Sequence, residues 1–251
     1  MPSFLKDLTP FYGTGEKNAE GKTLEQFLED YDPYRYRTPC CTTDAVVFSY
    51  SGQSVSEDTT FKVLLVKRKN HPSIGFWALP GGFIHLEENL EDTARRELEE
   101  ETGVKGLTVE QFACYGDWNR DPRARVITTA YMALTEESRV RVQAGDDAAD
   151  AAWCTVHVDE LFQKETEDYT ETTYALKAEN REKELSLCAT VKRTETRGLI
   201  REKKYAVSDP GKIAVDHAAI LVQAYLLLKE RIAAAGRTKQ ASDGTENIFS
   251  D

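Results

Sequence analysis

The sequence has few of the residues that build zinc sites or disulfide frameworks. Its 251 residues include 5 cysteines and 4 histidines, and no two cysteines stand in a CxxC pair. Structural zinc sites need closely spaced Cys and His ligands, and disulfide frameworks belong to much smaller chains, so the sequence indicates neither. We expect the cysteines to be reduced and to serve mostly in packing.

Long apolar segments and an excess of positive charge are also absent. No stretch approaches ~18 uncharged residues, the length needed to cross a membrane, and the first residues lack the apolar core of a signal peptide. With 43 acidic and 32 basic side chains, the formal net charge is −11. This charge disfavours general binding to nucleic acids or anionic membranes. We therefore predict a cytoplasmic protein with neither kind of partner, in which an anionic substrate requires bound cations or a local basic loop.

Strand-like and helix-like segments alternate along the chain and predict a mixed α/β (α+β) fold. Runs of β-branched and apolar residues predict strands at 41–50, 61–69, 107–115 and 126–134. A helix is expected over Leu90–Thr102, with Asn89 as its N-cap and Gly103 just past its end. Apolar residues at helical spacing predict a long closing helix over Ile213–Ala235. We expect a further short helix over Val158–Phe162.

Both ends of the chain and one internal segment differ in composition from this core. Residues 1–38 are polar and rich in tyrosine, and they are predicted to form an N-terminal extension. Residues 39–235 form the main domain, in which alternating residues predict an inserted β-hairpin at about 184–207. Residues 236–251 have the composition of a disordered tail.

Acidic residues are concentrated on the helix predicted after the Pro-Gly-Gly turn. The apolar stripe of this helix consists of Leu90, Ala94 and Leu98. At about 100° per residue, Glu97 and Glu101 lie on or beside that stripe. A charge drawn toward a core is costly unless it is paired or binds a metal. The position of these carboxylates therefore predicts a compensating cation.

The spacing of the glutamates narrows the choice of cation. Glu97, Glu100 and Glu101 stand at i, i+3 and i+4, so their side chains converge on one patch of the helix. Three carboxylates so close together raise one another's pKa unless a cation lies between them. A hard divalent ion such as Mg²⁺ or Mn²⁺ fits oxygen ligands. The alternative is that Arg95 and Arg96 neutralise the cluster.

The segment from Gly82 to Val104 resembles the Nudix box. At the spacing of that motif it contains Gly82, Glu88, Arg96-Glu97-Leu98, Glu100-Glu101 and Gly103-Val104. A strand and a glycine turn precede a helix here, which is the context that the motif requires. The resemblance implies the Nudix fold, a mixed central β-sheet sandwiched between helices. It also implies hydrolysis of a nucleoside diphosphate that is linked to another group.

The resemblance also implies roles for the acidic residues of the box. In Nudix hydrolases, the glutamates that match Glu97, Glu100 and Glu101 bind Mg²⁺, often together with the backbone carbonyl that matches Gly81. We expect Glu97 and Glu101 to be the direct ligands. The expected cofactor is Mg²⁺, with Mn²⁺ as the alternative.

Other positions receive supporting or catalytic roles from the same resemblance. The arginine that matches Arg96 usually holds a box glutamate by ion pairing, and the acid that matches Glu88 serves the metal site or its surroundings. The base that deprotonates water varies in this superfamily and sometimes lies on a distant loop. Such a loop contains Asp146, Asp147 and Asp150, and we expect Asp150 to be the base. The alternative for each is a solvated acidic turn.

A second segment, Gly116–Tyr131, is similar to the ADP-ribose pyrophosphatase branch of the superfamily and to its regulatory relatives that sense ADP-ribose. Arg120, Arg123 and Arg125 supply the local positive charge that the chain otherwise lacks, and guanidinium groups suit phosphate oxygens. Trp118 is a candidate for stacking on a base. The alternative is a surface loop whose arginines pair with neighbouring acids.

These features predict a Mg²⁺-dependent hydrolase that cleaves ADP-ribose or a related nucleoside diphosphate sugar, with a homodimer as the expected assembly. The closing helix also resembles that branch, and we expect Asp216 and His217 to start and pack this helix. The competing function is a regulator that senses nucleotides on the Nudix fold without catalysis. Such regulators add a winged-helix domain after the closing helix and commonly lose box acids. Every box acid is present here and only residues 236–251 follow the helix, so we expect an enzyme.

Overall fold

The computed structural model describes residues 4–140 and 148–246. The chain forms two compact units, Met1–Pro39 and Cys40–Asp251. These two units are described separately below.

The first unit contains little regular structure within its described residues. A single 3₁₀ turn covers Thr9–Phe11, and helix α1 covers Leu24–Asp30. The Thr23 side chain accepts a hydrogen bond from the Gln26 N–H, and the Gln26 side chain accepts one from the Thr23 N–H. This capping box fixes the start of α1 at Leu24.

In the described part of the second unit, ten strands form one mixed sheet. They are β1 (Cys40–Tyr50), β2 (Phe61–Arg68), β3 (Trp77–Ala78), β4 (Gly81–Phe83), β5 (Glu110–Tyr115), β6 (Val126–Glu136), β7 (Ala148–Glu165), β8 (Tyr169–Asn180), β9 (Leu185–Thr196) and β10 (Lys203–Asp209). Their order is β10-β9-β8-β7-β2-β1-β6-β5, with β3 beside β2 and β4 beside β1. β1 and β6 pair in parallel, and the other strand pairs are antiparallel.

Helices α2 (Leu90–Thr102) and α3 (His217–Glu246) cover the sheet. Successive residues of β1 point to opposite faces, so Val47 packs with Leu98 of α2, whereas Val46 belongs to the cluster that contains Ile220 of α3. Burial on both faces explains why β1 is apolar without alternation. The predicted mixed sheet between helices is confirmed.

The bounds of α2 agree with the prediction. Asn89 has extended backbone angles at the N-cap, although its side chain donates to Asp92 (3.1 Å) instead of capping a backbone N–H. Gly103 has a φ of 72° and donates its N–H to the Glu99 carbonyl (2.8 Å). A left-handed residue at this position favours glycine and ends the helix.

The short helix predicted at Val158–Phe162 is wrong, because β7 continues through this segment to Glu165 and pairs with β8. The sequence reading also missed β8, whose overall composition is polar. Alternate β8 residues are nevertheless buried, namely Thr172, Tyr174, Leu176 and Ala178. Buried residues at every second position of a polar segment therefore indicate this strand.

The strands predicted around the turn near residues 196–198 do pair with each other, as β9 and β10. They are the outer part of a larger antiparallel array that runs from β7 to β10. The segment at 184–207 is therefore continuous with the main sheet and is not an isolated hairpin.

Helix α3 begins later and ends later than predicted. Ile213 forms a bridge to Trp77 before the helix starts, and α3 extends to Glu246. The helix thus includes residues 236–246, which we expected in a disordered tail. Among the described residues, no helix is long and apolar enough to cross a membrane.

The cysteines are all free, and most are not packing residues as expected. Cys40, Cys114 and Cys188 are exposed, whereas Cys154 is buried. Burial raises the pKa of the Cys154 thiol to about 12. This thiol is consequently protonated at neutral pH.

Leu176→Ala is expected to lower the free energy of unfolding by about 2–5 kcal/mol, because its side chain is buried in the core beside α3. Leu161→Ala on β7 is the matched control, since Leu161 is 61% exposed, and it should change stability by less than about 0.5 kcal/mol. Urea denaturation measures both. Equal losses would contradict the assignment of the Leu176 face of β8 to the core.

Candidate functional site

A cleft of about 430 Å³ opens where the glycine turn at β4 meets α2, the start of α3 and the loop between β5 and β6. Its acidic lining residues are Asp44, Glu97, Glu101 and Asp121. Its basic lining residues are Lys67, Arg68, Lys69, Arg120 and Arg123. A volume of this size suits a small-molecule ligand. Acidic and basic side chains line the same cleft.

The glycine turn approaches the acidic side of the cleft too closely for a side chain. A Cβ on Gly82 would lie 2.4 Å from the Glu97 carboxylate, and a Cβ on Gly81 would lie 2.1 Å from the Thr43 carbonyl oxygen. Gly81 is therefore required by its contact with backbone, whereas a side chain at residue 82 would displace the Glu97 carboxylate. The backbone of this turn lies directly against the carboxylate of Glu97.

Two carboxylates enter the cleft with little exposure to water. Glu101 accepts a hydrogen bond from the Gly81 N–H (3.0 Å), and burial raises its pKa to about 8. Burial also raises the pKa of Glu97, whereas Arg96 opposes that change. Glu97 further raises the pKa of Glu101. A cation between the two would relieve both effects, and carboxylate oxygens suit a hard divalent ion.

Arg96 binds three carboxylates of the box segment. Its guanidinium donates to Glu88 (2.8 and 3.1 Å), Glu97 (2.7 Å) and Glu100 (3.0 Å), and to the Phe83 carbonyl (3.1 Å). Arg96 lowers the pKa of Glu88 to about 2. These contacts are the ion pairing that the box predicted for Arg96.

The three glutamates predicted to converge are divided by this arrangement. Glu97 and Glu101 line the cleft, whereas Glu100 is exposed and bound by Arg96. Arg95 pairs with Asp92 (3.1 Å) and takes no part. Within residues 4–140 and 148–246, no three His, Cys, Asp or Glu side chains are already arranged around a metal position.

The predicted phosphate-binding arginines occupy different environments. Arg120 is buried and donates two hydrogen bonds to Asp216 (2.8 and 2.9 Å). Arg123 pairs with Asp121 (2.8 Å), lines the cleft and lies over the Phe83 ring at 5.3 Å. Of the three predicted arginines, Arg123 alone presents a partly exposed guanidinium to the cleft.

Two other residues of that loop lie elsewhere. Arg125 is exposed, donates to the Asp117 carbonyl (2.8 Å) and does not line the cleft. Trp118 is 79% exposed and also lies outside the lining. The aromatic ring in the cleft is that of Phe83, so the structure does not place Trp118 where a base bound in the cleft could stack on it.

The predicted base, Asp150, does not line the cleft, although its strand partner Lys67 does. Asp150 forms an ion pair with Lys183 and pairs with Lys67 in the ladder between β2 and β7. Asp146 and Asp147 fall outside the described residues.

A sequence model of the NUDIX domain matches residues 42–176, which include the glycine turn, α2 and the arginine loop. The chain belongs to the NUDIX family. Nudix hydrolases generally use divalent metal ions, which agrees with the carboxylates found in the cleft.

Two curated NUDIX relatives match the central part of the chain. It is 38% identical over 112 residues to the ADPR responsive transcriptional repressor NtrR of Acinetobacter baylyi, covering 44% of this chain and 42% of that protein. It is 40% identical over 90 residues to the ADP-ribose pyrophosphatase of Methanocaldococcus jannaschii, covering 36% and 52%. The chain thus spans about half of the length of these relatives.

A solved structure extends the likeness over most of the chain. The MutT/nudix family protein from Enterococcus faecalis superposes with a TM-score of 0.59 at 28% identity, covering 91% of this chain and 76% of that one. The similarity therefore includes elements beyond residue 176, where the family match ends.

Sequence reasoning missed several cleft residues of this NUDIX protein. Asp44 is a buried acidic residue in an otherwise apolar strand. An acid at such a position indicates a polar site. Lys67, Arg68 and His71 also line the cleft, and their basic run at the end of β2 was visible. His217 was assigned to packing, but it lines the cleft as well.

The raised pKa of Glu101 predicts a pH-dependent stability of the metal-free protein. The folded pKa of about 8 lies above the ordinary 4.5, so the stabilisation is present at low pH and is lost as pH rises from about 4.5 through about 8. With EDTA present, urea denaturation at stepped pH should show a smaller decline for Glu101→Gln than for the wild type. Identical slopes would contradict the burial of this carboxyl group.

Proposed function

We propose that this NUDIX protein is a Mg²⁺-dependent hydrolase that cleaves the diphosphate linkage of ADP-ribose or a related nucleoside diphosphate sugar. The observation that carries the proposal is the single cleft in which Glu97 and Glu101 share one small volume with basic side chains. Carboxylates can hold a divalent cation, and basic side chains can bind phosphate oxygens. Diphosphate hydrolysis needs both.

The acidic side of the cleft fits a divalent cation. In this proposal, Glu97, Glu101 and the Gly81 carbonyl hold the ion. Glu88 accepts hydrogen bonds from Arg96 and Thr93, so we assign it to supporting Arg96. When bound, a divalent cation neutralises phosphate charge and lowers the pKa of water.

The basic side of the cleft fits the diphosphate. Arg123 and Lys67 supply positive charge in a chain whose net charge is −11. Asp121 holds the Arg123 guanidinium over Phe83, and a guanidinium fixed in this way loses little freedom when it binds phosphate. Asp150 has no part in this proposal, because it pairs with Lys183 outside the cleft.

The functions of two relatives support ADP-ribose as the ligand. One relative is a pyrophosphatase for it, and another is a repressor that responds to it. The second relative favours one alternative, a sensor that binds ADP-ribose without turnover. The complete set of box acids favours hydrolysis, since a sensor has no need of them. A cytoplasmic location and a homodimer remain predictions.

Glu101→Gln should lower kcat for ADP-ribose by roughly 100-fold or more, because it removes a charge from the proposed cation site. Glu99→Gln is the matched control on the same helix, since Glu99 is exposed and paired with Lys105. Release of AMP in the presence of Mg²⁺ is measured by chromatography. Equal activity of both variants would remove Glu101 from the site, and a wild-type protein that binds ADP-ribose without turnover would favour the sensor.

Arg123→Ala should raise the KM for ADP-ribose roughly 10–100-fold with a smaller change in kcat, because a charged hydrogen-bond donor to phosphate is lost. Arg125→Ala, two residues away and outside the cleft, is the control. Initial rates over a range of ADP-ribose concentrations give both constants. An unchanged KM for Arg123→Ala would place the diphosphate elsewhere.

A further inference from the structure

The start of α3 contacts the acidic side of the cleft through His217. The Nδ1 atom of this buried imidazole accepts a hydrogen bond from the Leu79 N–H (2.9 Å). Leu79 lies two residues before Gly81, whose own N–H donates to Glu101. Because Nδ1 is an acceptor, a neutral His217 carries its proton on Nε2, which lies 3.8 Å from the Asp44 carboxylate. His217 therefore holds the backbone two residues before the N–H group that donates to Glu101.

The preceding residue, Asp216, contacts the basic side of the cleft through Arg120. Its carboxylate accepts two hydrogen bonds from Arg120, whose side chain is 7% exposed. Its backbone carbonyl accepts the N–H groups of Ala219 and Ile220, which form the first turn of α3. Asp216 is thus fixed to the helix, and Arg120 fixes the loop that carries Arg123 to Asp216.

The residue before this pair has a strained backbone. Val215 has a φ of 46° and lines the cleft. A β-branched residue in the left-handed region is unfavourable and persists only where the surrounding structure imposes it. Val215 lies between two anchored segments: Ala214 before it donates to the Trp77 carbonyl, and Asp216 and His217 after it make the contacts described above.

We propose that Asp216 and His217 are positioning residues with separate targets. His217 positions the glycine turn and hence the cation site, and Asp216 positions Arg120 and hence the loop that carries Arg123. The catalytic consequences rest on the proposed function. The structural consequences do not, because both contacts join protein atoms only.

The first test measures local order by hydrogen exchange of two peptides in the metal-free protein. His217→Phe removes the acceptor for Leu79 and should accelerate exchange in the peptide covering residues 76–84. Asp216→Asn should accelerate exchange in the peptide covering residues 116–125. Asp159→Asn, an exposed acid on β7, is the control for loss of one negative charge and should change neither peptide.

Conservative variants separate positioning from packing at residue 217. His217→Asn places an amide oxygen near the former Nδ1 atom and should restore slow exchange in residues 76–84. His217→Gln places its amide near the former Nε2 atom and should not restore it. His217→Gln also supplies the test if His217→Phe fails to fold, which thermal denaturation would reveal.

The second test measures each side of the cleft by binding. Electron paramagnetic resonance of free Mn²⁺ should show affinity about tenfold weaker for His217→Phe and nearly unchanged for Asp216→Asn. Calorimetry with ADP-ribose in EDTA should show roughly tenfold weaker binding for Asp216→Asn. His217→Phe should leave that affinity within about twofold of the wild type.

The two sets of results distinguish the possible failures. The proposal is supported if His217→Phe affects only residues 76–84 and Mn²⁺ binding, while Asp216→Asn affects only residues 116–125 and ADP-ribose binding. If both variants disturb both peptides equally, the start of α3 acts as one structural block and the proposal is overturned. If the wild type neither binds nor hydrolyses ADP-ribose, the proposed function fails, and hydrogen exchange and Mn²⁺ binding still decide between separate and common targets.

Discussion

The burial of negative charge beside the glycine turn is the constraint on which the rest of the site depends. Asp44 and Glu101 both lie beside Gly81 with little access to water, and each needs compensation. For Asp44 this comes from the Thr128 hydroxyl at 2.7 Å and from the neighbouring Arg120. For Glu101, the hydrogen bond from the Gly81 N–H compensates only part of the buried negative charge. The carboxylate is therefore suited to bind a cation.

The basic groups around this acidic centre divide into fixed and available ones. Arg96 and Arg120 are engaged by carboxylates in paired geometry, and they organise the walls of the cleft. Arg123 is also paired with Asp121, but its side chain is 48% exposed, and it lines the cleft together with Lys67. A strongly acidic protein can therefore offer a local positive surface, because buried ion pairs use some arginines as structure and leave others for a ligand.

Local signals were read correctly from the sequence, whereas long-range ones were not. The ends of α2 were predictable because their signals are local: Asn89 bonds Asp92 in the first turn, and Gly103 takes the left-handed conformation that ends the helix. A short apolar run such as Val158–Phe162 cannot distinguish a strand from a helix, and its pairing with β8 decides the outcome. The contact from Leu79 to His217 spans 138 positions, so no local pattern could place that imidazole in the cleft.

The parallel pairing of β1 with β6 also makes strand alignment part of the site. Their ladder runs from Cys40 beside Val126 to Tyr50 beside Glu136, and the alternating cores on both faces of β1 hold it in place. A shift of one residue would turn every β1 side chain to the opposite face. Asp44 would then leave the cleft, and Val46 and Phe48 would leave the core beside α3, so the packing that stabilises β1 also keeps Asp44 at the cleft.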